Sequence, residues 1–166
     1  MSDLFQKAAT EAEIDAVVAA MVINPQHTYQ VLTKRPKRMR DYWRGRFGMK
    51  APRNIWLGVS VENQDRFDRR VPFLIQTPAA VRFLSIEPLL GPINIGSWVG
   101  EVDWVIVGGE SGPGARPMAP GWIRDIRDTC RLVRTAFFFK QWGGQTPKAA
   151  GRLLDGETWD QMPSVQ

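Results

Sequence analysis

One cysteine, one histidine and two tyrosines occur in 166 residues, and each scarcity removes a class of chemistry. The lone thiol, Cys130, has no partner for an internal disulfide and cannot build a cysteine-based metal site within this chain. No spacing of His, Cys and Asp proposes zinc. The single His27 does not stand with a serine nucleophile, so a hydrolase triad finds no support. No apolar run approaches the ~18 residues of a membrane span. The opening Met1-Ser-Asp-Leu-Phe-Gln-Lys7 lacks the apolar stretch of a signal peptide. The expectation is a soluble cytoplasmic protein with no membrane partner and no metal site of its own.

What is present is ordinary in amount and specific in arrangement. Hydrophobic residues make up 43% of the chain, enough for one domain with a real core. The net charge of +5 favours an anionic partner, although a surplus of this size is common and its placement matters more than its sum.

Two periodicities alternate. Thr10-Glu-Ala-Glu13 fits a capping box, followed at helical spacing by Ile14, Val17, Val18, Met21 and Val22 up to Asn24-Pro25. Tyr29–Thr33 reads as a strand, and Pro36 opens a helix with Met39, Tyr42, Trp43 and Phe47 on one face. Strand Ile55–Val61 precedes a helix from Asn63 with Phe67, Val71 and Leu74, predicted to be interrupted near Pro72 and stopped by Thr77-Pro78. Strands Val81–Ile86 and Asp103–Val107 follow. A helix carrying Trp122, Ile126, Cys130 and Val133 leads to strand Ala136–Lys140. The Asp155-Gly156 pair then signals a two-residue hairpin, with Trp159 packing back.

Apolar strands separated by long crossovers imply a parallel sheet covered by helices. The predicted fold is α/β, a partial (βα) barrel of five or six parallel strands over residues 1–145, with a small β appendage over 146–166. The barrel is preferred to an open doubly wound sheet because polar residues stand at the end of every strand, not at one switch point. Parallel strands bring Lys34, Ser60, Glu62, Asn63, Glu87, Glu110, Ser111 and Lys140 to one edge. Strand ends meet water and are polar in any case, so the pattern leaves a site and a solvated rim equally open.

The loop Gly108-Gly-Glu-Ser-Gly-Pro-Gly-Ala-Arg116 lacks the Gly-Lys-Ser/Thr ending of a P-loop and does not match Gly-x-Gly-x-x-Gly. Pro113 also removes an amide donor where a phosphate would need one. The glycines are read as allowing close approach while Glu110 and Ser111 are carried over the sheet, with a purely structural turn as the competing reading. The segment Lys34–Arg53 holds nine cations, one acid and three aromatics. This composition suits a phosphate backbone, with Lys37, Arg38, Arg40, Arg44 and Arg46 as contacts. The plainer reading, an apolar helical stripe with a solvated charged back, is preferred.

Six ordered strings, among them Gln30-Val-Leu-Thr-Lys-Arg-Pro36, Trp56-Leu-Gly-Val-Ser-Val-Glu-Asn63, Phe83-Leu-Ser-Ile-Glu-Pro-Leu-Leu-Gly-Pro92 and Phe137-Phe-Phe-Lys-Gln-Trp-Gly-Gly144, resemble a phage- and prophage-associated family of uncharacterised proteins. That family is similar to radical-SAM proteins, with an N-terminal three-cysteine motif for an iron–sulfur cluster ahead of a partial barrel. The resemblance implies that strand-end residues contact S-adenosylmethionine, which adds Asp3 to the rim candidates. This chain departs from the pattern because the three cysteines are not in it. Both S-adenosylmethionine and the cluster are therefore expected only of a full-length relative.

Two functional expectations follow. In the first, the chain is a fragment or shortened relative, inactive alone in radical chemistry, that keeps a ligand-binding rim. In the second, it is a phage-encoded module that binds nucleic acid or a host protein through residues 34–53 and an exposed sheet edge. Such an edge would be covered by the tail, a second copy or a partner protein, so self-association or complex formation is expected.

Overall fold

The computed structural model describes residues 3–146 and 149–164. Five parallel strands form one sheet: β1 Tyr29–Thr33, β2 Ile55–Ser60, β3 Arg82–Ile86, β4 Trp104–Gly108 and β5 Ala136–Gln141. Their order across the sheet is their order along the chain. Every right-handed crossover therefore steps the same way and puts its helix on the same face. That unreversed order is the arrangement of a partial (βα) barrel.

Four helices fill the helical face: α1 Glu11–Val22, α2 Pro36–Phe47, α3 Gln64–Ile75 and α4 Pro120–Val133. The core combines Val18, Trp43, Phe67 and Ile126 from these helices with Leu57, Val59, Leu84, Val105 and Phe139 from the strands. Alternation along each strand sends the intervening residues to the opposite face. There Trp56, Val81, Phe83 and Trp104 form a second buried cluster, with Ile106 and Phe138 at its margin.

Local chemistry explains the element ends. The Thr10 hydroxyl accepts from the Glu13 amide at 3.2 Å, and the Thr10 amide donates to the Glu13 carboxylate at 2.7 Å, closing the capping box of α1. Asn63 caps α3 by accepting from the Arg66 amide at 3.0 Å. Two expectations are corrected. First, α3 runs through Pro72 without interruption. A proline in a helix costs about 3 kcal/mol, whereas burying three large apolar side chains, here Phe67, Val71 and Leu74, contributes about 1.5–3 kcal/mol each. Second, α4 buries Ile123, Ile126 and Cys130, while Val133 is exposed at the helix end.

The sheet has two different borders. Beyond β5, Phe139 N–H donates to Trp159 O at 2.8 Å and Gln161 N–H donates to Phe137 O at 3.2 Å, so the tail lies antiparallel along that edge. Leu154 and Glu157 form one antiparallel bridge across the two-residue turn Asp155-Gly156, both at positive φ. Trp159 packs edge-on against Phe137 at 5.9 Å. At the other border β1 has β2 as its one strand neighbour among the described residues, and Leu32 is exposed. No helix among the described residues is long and apolar enough to cross a membrane.

Candidate functional site

The face away from the helices changes character from one end to the other. Near the strand N-termini Trp104 meets Trp56, Phe83 and Phe138 at ring distances of 6.2, 6.0 and 6.0 Å. Its indole N–H donates to Gln161 O at 2.9 Å. This aromatic floor depends on Gly58, where a Cβ would stand 2.4 Å from the Phe83 ring. One step toward the strand C-termini, Ser60 and Ser85 are register partners, both almost buried. Beyond them the rim is charged.

Glu87 extends from β3 over Gly108 of β4, where a Cβ would lie 3.2 Å from its carboxyl carbon. Its carboxylate accepts from Lys140 Nζ of β5 at 2.9 Å and lies 3.4 Å from Gln141 Nε2. The Gln141 amide also donates to Ser111 Oγ at 3.0 Å. A cleft of about 430 Å³ is lined by Glu87, Gly109, Glu110, Ser111, Lys140 and Gln141, together with Pro88. Four of the nine rim candidates thus share one cavity.

The glycine-rich loop has a structural task here. Gly109 N–H donates to Gln141 O at 2.9 Å, Gly144 N–H to Glu110 O at 2.8 Å and Gly112 N–H to Gly144 O at 2.9 Å. A Cβ on Gly109 would stand 1.9 Å from Trp142 O, so only glycine lets the two loops run this close. Glu110 is engaged within its own loop. It accepts from Arg116 Nη2 at 2.6 Å, Arg116 Nε at 2.8 Å and the Arg116 amide at 2.9 Å. The Arg116 side chain and amide together pull its pKa down to about 2.

The remaining candidates occupy different places. Glu62 meets Lys34 at 2.8 Å and Arg70 at 3.0 Å. Burial works to raise its pKa, but the Lys34 hydrogen bond and the two positive charges outweigh it and hold Glu62 below its ordinary value. Asp3 accepts from the Thr33 hydroxyl at 2.7 Å and from the Lys34 amide and Arg35 at 3.0 Å, so it ties the N-terminal segment to the end of β1. Asn63 is occupied as a helix cap.

The basic segment is largely satisfied within the chain. Arg38 donates to the carbonyls of Phe5, Gln6 and Ala9. Arg44 donates to Gln76 O at 3.0 Å, and Arg40 to Gln76 Oε1 at 2.8 Å. Lys37 pairs with Asp41 at 2.8 Å, and Arg46 pairs with Asp15. Gln141, read only as part of a polar strand end, and Arg70 and Gly108 were not among the site residues proposed from the sequence. The first two look like ordinary polar positions, and a glycine that makes room for a neighbouring strand's side chain carries no local signal.

Residues 1–163 match the family described as protein of unknown function, DUF5131. The chain belongs to that family. No curated protein and no solved structure matches it. The family description names no activity, so the chemistry rests on the rim.

Cys130 is fully buried on α4 among the helical core, and burial pushes its thiol pKa up to about 12. Among the described residues no three His, Cys, Asp or Glu side chains converge as metal ligands.

Proposed function

We propose that this chain is a cytoplasmic ligand-binding (βα) partial barrel whose cleft at the ends of β3, β4 and β5 takes a small molecule bearing an α-amino acid group. One observation carries the reading: Glu87 reaches across the bare backbone of Gly108 to meet Lys140 at 2.9 Å. A carboxylate and an ammonium held side by side match the two charges of an amino acid. Glu87 would take the ligand's ammonium and Lys140 its carboxylate, exchanging one ion pair for two charge-assisted contacts. Gln141 and Ser111 supply polar atoms for hydroxyl groups at the same cleft. In parallel α/β barrels this edge of the sheet is where ligands bind.

Within that class we favour S-adenosylmethionine, held by the paired charges alone and without the cluster that a full-length relative would add, on the resemblance to radical-SAM proteins. No reaction step is assigned, because the thiol in this chain is not placed to hold a cluster. The same resemblance motivates a phage or prophage setting, which phage structural genes flanking the coding sequence would support.

The test is calorimetric titration of S-adenosylmethionine, methionine and adenosine into the wild type, Glu87→Gln and Lys140→Ala. Binding of S-adenosylmethionine and methionine that weakens by about tenfold in both variants supports the reading. Wild-type binding left intact by both substitutions, or the absence of binding at millimolar ligand, overturns it.

A further inference from the structure

A second cleft, larger than the first, lies where α1, α2 and α3 meet the end of β1. Its volume is about 760 Å³, within the range of about 300–1,000 Å³ typical of small-molecule sites. Seven of its thirteen lining residues are Lys or Arg, and two are acidic. Its apolar lining comes from Ile14, Pro36, Tyr42 and Phe73, with the Arg40 guanidinium 4.9 Å from the Phe73 ring centre.

The cations divide into two groups. Arg38 is committed to backbone carbonyls, Arg35 to Asp3, Lys34 to Glu62, and Arg70 to Glu62 and Ser60 O. These hold the walls. Lys7 is exposed, and the side chains of Lys37 and Arg69 are 69% and 71% exposed. Lys37 and Arg69 pair with Asp41 and Asp65 four residues away on their own helices. Exposed pairs of this kind are worth little, so their cations can turn to another anion at small cost. A phosphate would gain several charge-assisted hydrogen bonds from them at once. The carboxylates facing the same space are Glu11 and Asp41, with Asp3, Glu62 and Asp65 standing behind the walls as partners of Arg35, Arg70 and Arg69.

We infer that this cleft binds a nucleoside phosphate, with the phosphates between Lys7, Lys37 and Arg69 and the apolar part on Tyr42 and Phe73. The volume suits a single nucleotide, and the committed arginines leave no continuous track of free cations along α2 for a polynucleotide. The inference does not rest on the amino-acid cleft, which is built from β3, β4 and β5.

The experiment titrates ADP, pyrophosphate, adenosine and a single-stranded oligonucleotide into the wild type at low and physiological salt. It then repeats the ADP titration on the combined variant Lys7→Ala, Lys37→Ala, Arg69→Ala. A control variant, Lys50→Ala, Arg53→Ala, Arg134→Ala, removes the same charge at exposed positions outside the cleft. The expected result is ADP binding that exceeds both pyrophosphate and adenosine, falls about tenfold in the cleft variant and is held within about twofold in the control. The single Lys37→Ala substitution keeps the test valid if the triple variant misfolds, with a smaller loss in the same direction. Equal losses in the cleft and control variants, no ADP binding at millimolar concentration, or tighter binding of the oligonucleotide than of ADP overturns the inference. Glu87→Gln leaves ADP binding unchanged, which separates this outcome from that of the amino-acid cleft.

Discussion

The ring of Phe83 occupies the space that a side chain on Gly58 would need, with 2.4 Å between the ring and an ideal Cβ. The two residues are register partners on β2 and β3, so neither can move away without disturbing the pairing. Gly58→Ala is expected to destabilise the fold by about 1–3 kcal/mol, the usual cost of overpacking a filled core. Thermal unfolding measures it. Adding Phe83→Leu to Gly58→Ala should recover part of the loss, and a simple sum of two losses would show that the contact is not the cause.

Gly109→Ala acts on backbone instead of a side chain. The added carbon would meet Trp142 O at 1.9 Å, and a carbonyl in a paired loop cannot rotate away as a ring edge can. The loops 108–111 and 141–144 should separate, so ligand binding at the Glu87–Lys140 cleft is lost while the helical core persists. Hydrogen exchange would show faster exchange of the Gly112 and Gly144 amides with little change in α2 or α3. Gly121→Ala, at an open helical position, is the silent control.

Much of this was readable from residues alone, and the failures have physical reasons. The strand Tyr29–Thr33 and the helix beginning at Pro36 follow from periodicity and proline, and the Thr10 capping box follows from two residues three apart. The in-order sheet follows from crossover length and polar strand ends. Pro72 misleads because a local rule about one hydrogen bond is overruled by burial across the whole helix. Glu110 was expected over the sheet beside Ser111; its pairing with Arg116 six residues later was not foreseen, because side-chain pairing within a loop has no periodicity to read. The cleft at Glu87 depends on Gly108, one strand over, which only the assembled sheet brings beside it.

Acid titration should isolate the Glu110–Arg116 pair. The folded pKa of Glu110 lies at about 2, below the ordinary 4.5, so the pair's contribution is fully present above pH 4.5 and is lost as the pH falls through about 2. NMR observation of the Glu110 side chain should give a midpoint near that value. Arg116→Ala should return the midpoint toward the ordinary one. A wild-type midpoint at 4.5 would mean that the pair does not persist in solution.

Cys130 reports on opening of the core. Its side chain is wholly buried and its thiol is pushed up to about 12, so both access and ionisation are denied in the folded state. Labelling by a thiol reagent at neutral pH should be slow and should track unfolding as denaturant is added. Rapid labelling without denaturant would show α4 lifting from the sheet.

Because sheet order equals chain order, each strand after β1 has its neighbour already synthesised when it leaves the ribosome, and the sheet can be laid down one strand at a time in the direction of synthesis. The growing border is then always the newest strand, which is open until the next one docks. Residues 159–161, lying antiparallel to β5, end that sequence at the sheet border. The tail thus acts as a stop signal written in backbone hydrogen bonds. Until it is translated, the nascent sheet carries a live edge that can be extended by the wrong chain.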